Sequence, residues 1–482
     1  MNYRVVVRVL GNLLVLESVM MLPPLLVALL NQGTDIKAFI ISILITLFTG
    51  LIMGRIKQSK AKVKAQEGLS IVVYGWLLVS IFGALPFYIS GAIPNVIDAL
   101  FETVSGFTTT GATILTDVEA LPRGLLFWRS YTQWIGGMGI LVFTLMFLPT
   151  IGIGAFQIYK AEIPGPTSDK IAPRMRDTVT ILYVTFILLS LAQFILLLLG
   201  GMGLYDSIVH TFSTLGTGGF SPYNSADLYI NSAYIQVVIA LFMLLASSNF
   251  ALFISIYRGK VREALTNEEF RFYLIVILVC TLLIGFNLFY YNYHSLFRSM
   301  EESFFHTISM ISSSGFATTD YEQWPSFSKL ILFFLMFVGG SSGSTGSGVK
   351  VIRILILAKI IKREILRIFH PRAVIPLKVN GTGLSDDVVN SVTSFFILYL
   401  FLFVFGALVV SLEGYDFIGS ISMSAASIGN IGLTFGFSGP STNYANFSMA
   451  TKSICMFLML AGRLELFTLI ALMTPNSWKN ES

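Results

Sequence analysis

Apolar residues in this chain gather into long runs instead of marking one face of a helix or alternating along a strand. The first is "VLGNLLVLESVMMLPPLLVALL" at 9–30. Others follow at about 36–54, 69–90, 124–150, 178–200, 231–257, 272–290, 328–338 (resuming at 349), 388–411 and 447–473. A helix needs ~20 largely apolar residues to cross the hydrocarbon core of a bilayer. The pattern therefore predicts ten membrane-spanning helices in an all-α polytopic membrane protein. The first run exceeds the ~7–15-residue core of a signal peptide, and no small-residue cleavage site follows it, which predicts a retained span.

Composition agrees, and charge adds orientation. Of 482 residues, 55% are hydrophobic and 12% charged, against roughly 25% charged in soluble domains. The net charge of +5 is not a nucleic-acid footprint, because the basic residues cluster in alternate loops. These are Arg55, Lys57, Lys60, Lys62 and Lys64; Lys160, Lys170, Arg174 and Arg176; Arg258, Lys260 and Arg262; and Lys359, Lys362, Arg363, Arg367 and Arg372. Acidic residues populate the intervening loops, including Asp117, Glu119, Asp227, Asp320, Glu322 and Asp416. By the positive-inside rule the basic loops and both termini are predicted to be cytoplasmic. Cys280 and Cys455 lie inside apolar runs and predict buried free thiols, not a disulfide scaffold.

The polar segments between runs repeat. "DALFETVSGFTTTGA", "DSIVHTFSTLGTGGF", "ESFFHTISMISSSGF" and "GSISMSAASIGNIGL" align on Gly111, Gly219, Gly315 and Gly432. Eight positions before the glycine stands Thr103, Thr211, Thr307 or Ser424; nine before stands Glu102, His210, His306 or Met423. Thirteen before stands Asp98, Asp206 or Glu302, the fourth copy departing at Gly419. Each segment is too polar to cross and lies between two apolar runs, so it should enter and return from the outer side. The prediction is four tandem helix–pore loop–helix units in pseudo-fourfold arrangement, after two N-terminal transmembrane helices. The boundaries are 1–66 for those two helices, then 67–158, 159–258, 259–378 and 379–482 for the units.

Irregular backbone at membrane depth survives only where protein or a water-filled cavity shelters it. A ring of glycine-containing return strands satisfies that condition. About ten residues before each glycine are predicted to form a short helix. Asp98, Asp206 and Glu302 near the outer ends would complement the positive dipole ends and leave the negative ends facing the axis. Carbonyl rings and negative helix ends both favour a dehydrated cation. His210 and His306, at equivalent positions, are predicted to be packing or hydrogen-bonding residues. No nucleophile–base constellation and no Cys/His/carboxylate set with metal-site spacing is present, so no enzymatic activity is expected.

"TTTGAT", "GTGGFS", "SSSGFAT" and "NIGLTFG", with "WIGGMGI" at 134–140, resemble the Trk/Ktr/HKT superfamily of potassium transporters. The likeness covers nearly the whole chain, and the two additional N-terminal spans make it similar to the bacterial TrkH/TrkG branch. The resemblance implies potassium uptake across the inner membrane through a gated, channel-like pore that also passes rubidium. K+ is then the transported ion, with no covalent or nucleotide cofactor. In that family, glycine in all four return strands accompanies potassium selectivity. The filter would be formed by Thr109, Thr110, Gly111, Thr217, Gly218, Gly219, Ser313, Ser314, Gly315, Asn430, Ile431 and Gly432. Also implied are a lipid-embedded homodimer with a pore in each protomer, and a cytosolic TrkA-like ring of nucleotide-binding domains docked on the basic loops. One elementary charge crossing 100 mV gains about 2.3 kcal/mol, so about 150 mV would sustain roughly 300-fold accumulation without ATP. The alternative is a proton- or sodium-coupled secondary transporter. It would need intramembrane carboxylates, for which Glu17 and Glu465 are the candidates.

One apolar run is interrupted by "GGSSGSTGSGVK" at 339–350. Gly343 and Gly348 have the spacing of a phosphate-binding loop, but Val349 stands where lysine is required, and Val351 offers no hydroxyl. The loop is expected instead to project beneath the filter, where the resemblance implies a gate. Gly339, Gly340, Gly343, Gly346 and Gly348 each weaken a helix by roughly 0.5–1 kcal/mol relative to alanine. Ser344 and Thr345 can satisfy backbone groups locally. Arg463, in "MFLMLAGRLELFTLI", is a costly charge inside a span. The family likeness implies that it forms an electrostatic barrier below the filter. Glu465 sits two positions away, where helical side chains do not face each other, so its partner should lie elsewhere.

Overall fold

A computed structural model describes residues 2–56, 65–139, 175–224, 232–439 and 442–473. Lys57, Lys60, Lys62, Lys64, Lys160, Lys170, Arg174 and Asp227, together with residues 140–150, lie outside the described residues. Most of the described residues are helical. Among the described residues six helices are long and apolar enough to cross a membrane, or eight if each bent pair below is one span, where the sequence predicted ten; the six are Tyr3–Leu30, Ile36–Gly54, Gln66–Ile89, Val179–Leu199, Glu268–Tyr293 and Asp386–Ser411. Their flanks present Leu44, Leu188, Leu278 and Phe401, each more than half exposed. In water this would be an aggregating surface; against lipid it is the expected one. The first two spans meet at glycines: a Cβ on Gly11 would lie 2.5 Å from Gly54 N, and one on Gly50 would lie 2.8 Å from Gly11 O. Small residues let membrane helices approach this closely, where packing is the main attraction.

Each of the four units contains a short pore helix: Val96–Phe107, Leu204–Leu215, Leu296–Ile311 and Phe417–Gly429. Asn95 caps the first, accepting from Ile97 N at 2.8 Å, and Asp416 caps the fourth through Gly419 N. Asp98 and Asp206 lie in their first turns. Glu302 departs from the expectation. The third pore helix begins earlier, at Leu296, so Glu302 sits beyond its first turn and accepts from the Thr318 hydroxyl at 2.7 Å.

The packing closes a ring. The second span of the first unit (Arg123–Gly137) lies against the second pore helix, and that of the second unit (Ala233–Ala246) against the third. Ser326–Val338 lies against the fourth pore helix, and Met449–Arg463 returns to the first. One geometry is thus used four times, as the repeat predicted.

The second spans at 231–257 and 447–473 are not continuous. Ala233–Ala246 and Phe250–Tyr257 meet at 94°, and Met449–Arg463 and Leu466–Leu472 meet at 114°. In the third unit Ser326–Val338 gives way to the glycine-rich loop before Val351–Phe369. A feature with no counterpart in the sequence reading is a hairpin, Lys378–Val379 paired with Thr382–Gly383. Its turn, Asn380–Gly381, has φ of 50° and 77°, the type I′ geometry that Asn-Gly favours.

Candidate functional site

All four pore helices end in the same hydrogen-bonded corner. Thr109 N donates to Gly106 O and Thr110 N to Ser105 O; Thr217 N donates to Thr214 O and Gly218 N to Ser213 O. Ser313 N donates to Met310 O and Ser314 N to Ser309 O; Asn430 N donates to Ser427 O and Ile431 N to Ala426 O. This is the Schellman motif, which needs one left-handed residue just past the helix. Glycine usually fills that place. Here it is Thr109, Thr217, Ser313 and Asn430, with φ of 57°, 55°, 58° and 51°.

Two residues on, the chain turns left-handed again, at Gly111, Gly219, Gly315 and Gly432. A Cβ on Gly111 would lie 2.0 Å from Gly218 O; on Gly219, 2.2 Å from Ser314 O; on Gly315, 2.0 Å from Ile431 O; on Gly432, 2.3 Å from Thr110 O. Each glycine therefore faces the carbonyl just before the glycine of the next unit, and the fourth faces the first. No other residue type fits without displacing the ring, which is the physical reason for glycine at this position four times.

Buried polar side chains brace the ring. Glu102 and Arg129 form an ion pair of 2.5 Å with both side chains almost fully buried. Glu102 also accepts from Ile114 N at 3.0 Å, and Arg129 Nη1 donates to Ser221 O at 2.9 Å. The pair thus ties the first return strand to the second. Gln133 Nε2 donates to Gly218 O at 2.8 Å while its Oε1 accepts from Phe220 N at 3.1 Å. Neither Arg129 nor Gln133 was singled out from the sequence. The available signal was the polar run RSYTQ at 129–133 inside the second span. Asp98 pairs with Lys452 at 2.7 Å, fastening the first pore helix to the last span. His210 and His306 each place Nδ1 against a carbonyl one turn earlier, Asp206 O at 2.8 Å and Glu302 O at 2.9 Å.

Below the ring, the 339–350 loop is anchored by its own backbone. Ser341 N donates to Ser247 O at 2.8 Å, Thr345 N to Ala246 O at 3.2 Å, and Phe250 N donates back to Gly343 O at 3.2 Å. Ser342 N donates to Glu269 Oε1 at 2.6 Å, and Ser347 N to Ser313 Oγ at 2.7 Å. Lys350 is buried, and its ammonium donates to Gly346 O. A phosphate loop keeps its N–H groups and lysine free for the ligand; here they face protein.

Arg463 reaches across this assembly. Its guanidinium donates to Gly136 O at 2.5 Å, Gly137 O at 2.6 Å and Thr345 O at 2.8 Å, and approaches Thr109 Oγ1 at 3.4 Å. It joins the first unit's second span, the loop and the inner end of the first return strand. Glu465 pairs with Arg353 at 2.5 Å, and Arg353 stacks over Phe395 at 3.8 Å. Glu17 is buried among Leu13, Leu16, Met20, Val79, Phe107, Trp128 and Ile135, beside the end of the first pore helix.

The sequence model of the TrkH family, described as cation transport protein, matches residues 35–480. The Trk system potassium uptake protein TrkH of Salmonella typhimurium is 37% identical, over 99% of this chain and 100% of the relative. The Trk system potassium uptake protein TrkG of Escherichia coli K12 is 38% identical, over 99% of each. The crystal structure of the potassium transporter TrkH from Vibrio parahaemolyticus superposes with a TM-score of 0.89 at 35% identity, covering 99% of this chain and 100% of that one.

Proposed function

This chain belongs to the TrkH family of cation transport proteins, and from that premise we propose that it takes up potassium across a membrane through a gated pore formed by its four return strands. It is a multi-pass membrane transporter and not an enzyme. The observation that carries the pore reading is the closed ring of glycine-to-carbonyl contacts. Four strands held this tightly present backbone oxygens that can replace the hydration shell of a cation.

On this reading K+ is the cargo, and the filter consists of Thr109, Thr110 and Gly111, Thr217, Gly218 and Gly219, Ser313, Ser314 and Gly315, and Asn430, Ile431 and Gly432. The 339–348 loop is the gate. Arg463 is an electrostatic barrier and also the latch that holds the loop against the pore wall, since it binds Thr345 O and the carbonyls of Gly136 and Gly137 together. The units span 67–158, 159–258, 259–378 and 379–482 after an N-terminal pair at 1–66. Both termini face the cytoplasm, two copies associate, and a cytosolic nucleotide-binding ring of the TrkA kind docks on the basic loops. Coupling to protons or sodium is disfavoured by what the intramembrane carboxylates do. Glu465 is committed to Arg353, and Glu17 is enclosed by apolar side chains of the first span and the first unit.

The test is rubidium-86 uptake into liposomes that hold the purified protein and a potassium gradient, with potassium and sodium as competitors. Uptake blocked by potassium, barely touched by sodium and indifferent to a pH gradient is the expected result. Equal competition by sodium refutes the filter assignment, and strict dependence on a proton gradient refutes the uncoupled pore.

A further inference from the structure

The 94° break in the second unit's second span is explained by the loop that fills it. Ala246 O accepts from Thr345 N at 3.2 Å and from Thr345 Oγ1 at 2.9 Å, and Ser247 O accepts from Ser341 N at 2.8 Å. On the other side of the break, Phe250 N donates to Gly343 O at 3.2 Å, and Ala251 N to Asn249 Oδ1 at 2.9 Å. Those four backbone groups have a second way to be satisfied. In a continuous α-helix, Phe250 N–H would bond to Ala246 O, and Ala251 N–H to Ser247 O, because each N–H bonds four residues back. The groups that the loop and the Asn249 side chain now occupy are each other's helical partners.

Asn249 has φ −62°, already helical, and ψ 116°, so straightening requires that ψ to rotate to about −42°. Ser247, at φ −89° and ψ 2°, lies near the helical region. The limb beyond the break, Phe250–Tyr257, buries only Phe250 and Ile254, so little packing holds it at its present angle.

We propose that the second span of the second unit is the other half of the gate, bent while the 339–350 loop is seated and straight once the loop leaves. The inference rests on the reading of that loop as a gate. Loop departure would otherwise strand two carbonyls and an N–H in a low-dielectric interior, and buried unpaired groups are expensive. Straightening lets them satisfy one another. Asn249 is then a positioning residue: its side chain caps the second limb and favours the bent form. The limb leads directly into the basic segment Arg258, Lys260 and Arg262, so its swing would carry gate position to the cytosolic surface.

The experiment pairs a distance with a flux. Spin labels are placed at cysteines replacing Tyr234 and Tyr257, with Cys280 and Cys455 changed to alanine, and residues 341–347 are deleted to remove the loop contacts. At 1.5 Å per residue, the separation should lengthen from about 25 Å to about 35 Å, while rubidium uptake rises. Uptake that rises with no change in distance overturns the proposal and leaves the gate reading standing. No change in either overturns the gate reading, and this proposal with it. Asn249→Ala, with the loop intact, should raise uptake about fivefold, the worth of a helix cap, and Asn249→Asp should restore it. A folded Asn249→Ala protein with unaltered uptake and distance refutes the positioning role.

Discussion

Gly219→Ala tests the carbonyl ring most directly. The added Cβ would lie 2.2 Å from Ser314 O, whereas ordinary contact begins near 3.4 Å, so that oxygen must retreat by about 1.2 Å. An oxygen carrying about half a charge, moved from ~3 Å to ~4.2 Å from a cation at an effective dielectric of ~20, loses about 0.8 kcal/mol of attraction. That corresponds to roughly fourfold weaker potassium binding from one displaced carbonyl. Left-handed strain at φ +73° adds about 1–2 kcal/mol to the cost of the folded state, which requires a control. Gly91 supplies it, with φ +75° and nothing within 4 Å of its Cβ position. Gly91→Ala should show the strain as a lowered thermal midpoint and leave potassium competition unchanged. Gly219→Ala should weaken potassium competition against rubidium-86 about fourfold or more and narrow the preference over sodium. Wild-type competition curves in folded Gly219→Ala protein would show that the ring does not hold the ion.

Arg463→Ala removes charge-assisted bonds that hold the loop to the wall. At about 1.5 kcal/mol for one such bond, basal rubidium flux should rise roughly tenfold, and unchanged or lower flux in folded protein counts against the latch. Arg129→Leu leaves Glu102 buried without its ion-pair partner, a loss of about 3–5 kcal/mol. The purified protein should show a markedly lower thermal midpoint, which Glu102→Gln in the same chain should partly recover. Glu465→Gln should destabilise the fold by about 3 kcal/mol, read as a lowered thermal midpoint, because Arg353 loses its carboxylate. A midpoint equal to wild type would show that the pair is dispensable.

Much of this architecture is written in the chain because it is written four times. Apolar runs locate the spans, and the spacing of hydroxyl and glycine locates the return strands. The breaks at Ser247–Asn249 and at Leu464–Glu465 were not legible, because their flanks are as apolar as any span. What bends them is a contact from a loop almost a hundred residues away in one case and a left-handed Glu465, φ 57°, in the other. The third pore helix also begins earlier than its repeat partners suggest, since Leu296–Ser299 extends it outward where the other copies have loop. Arg129 is not legible from the sequence, because a helix with Arg123 and Arg129 near its start reads as a span end until Glu102 is seen beside it. Helical spacing predicted separate partners for Arg463 and Glu465; the helix breaks between them, and their partners are Thr345 O and Arg353.

The single Arg463 has a consequence for how such a ring can arise. A pore assembled from four identical subunits receives every substitution four times, so an arginine at this depth would bring four like charges to one axis. Joining the copies in one polypeptide removes that constraint. One quarter carries the cation, another the glycine-rich loop, a third the hinge that accommodates it, and each can drift independently while the shared corner geometry is kept. A single chain can thus trade exact symmetry for division of labour.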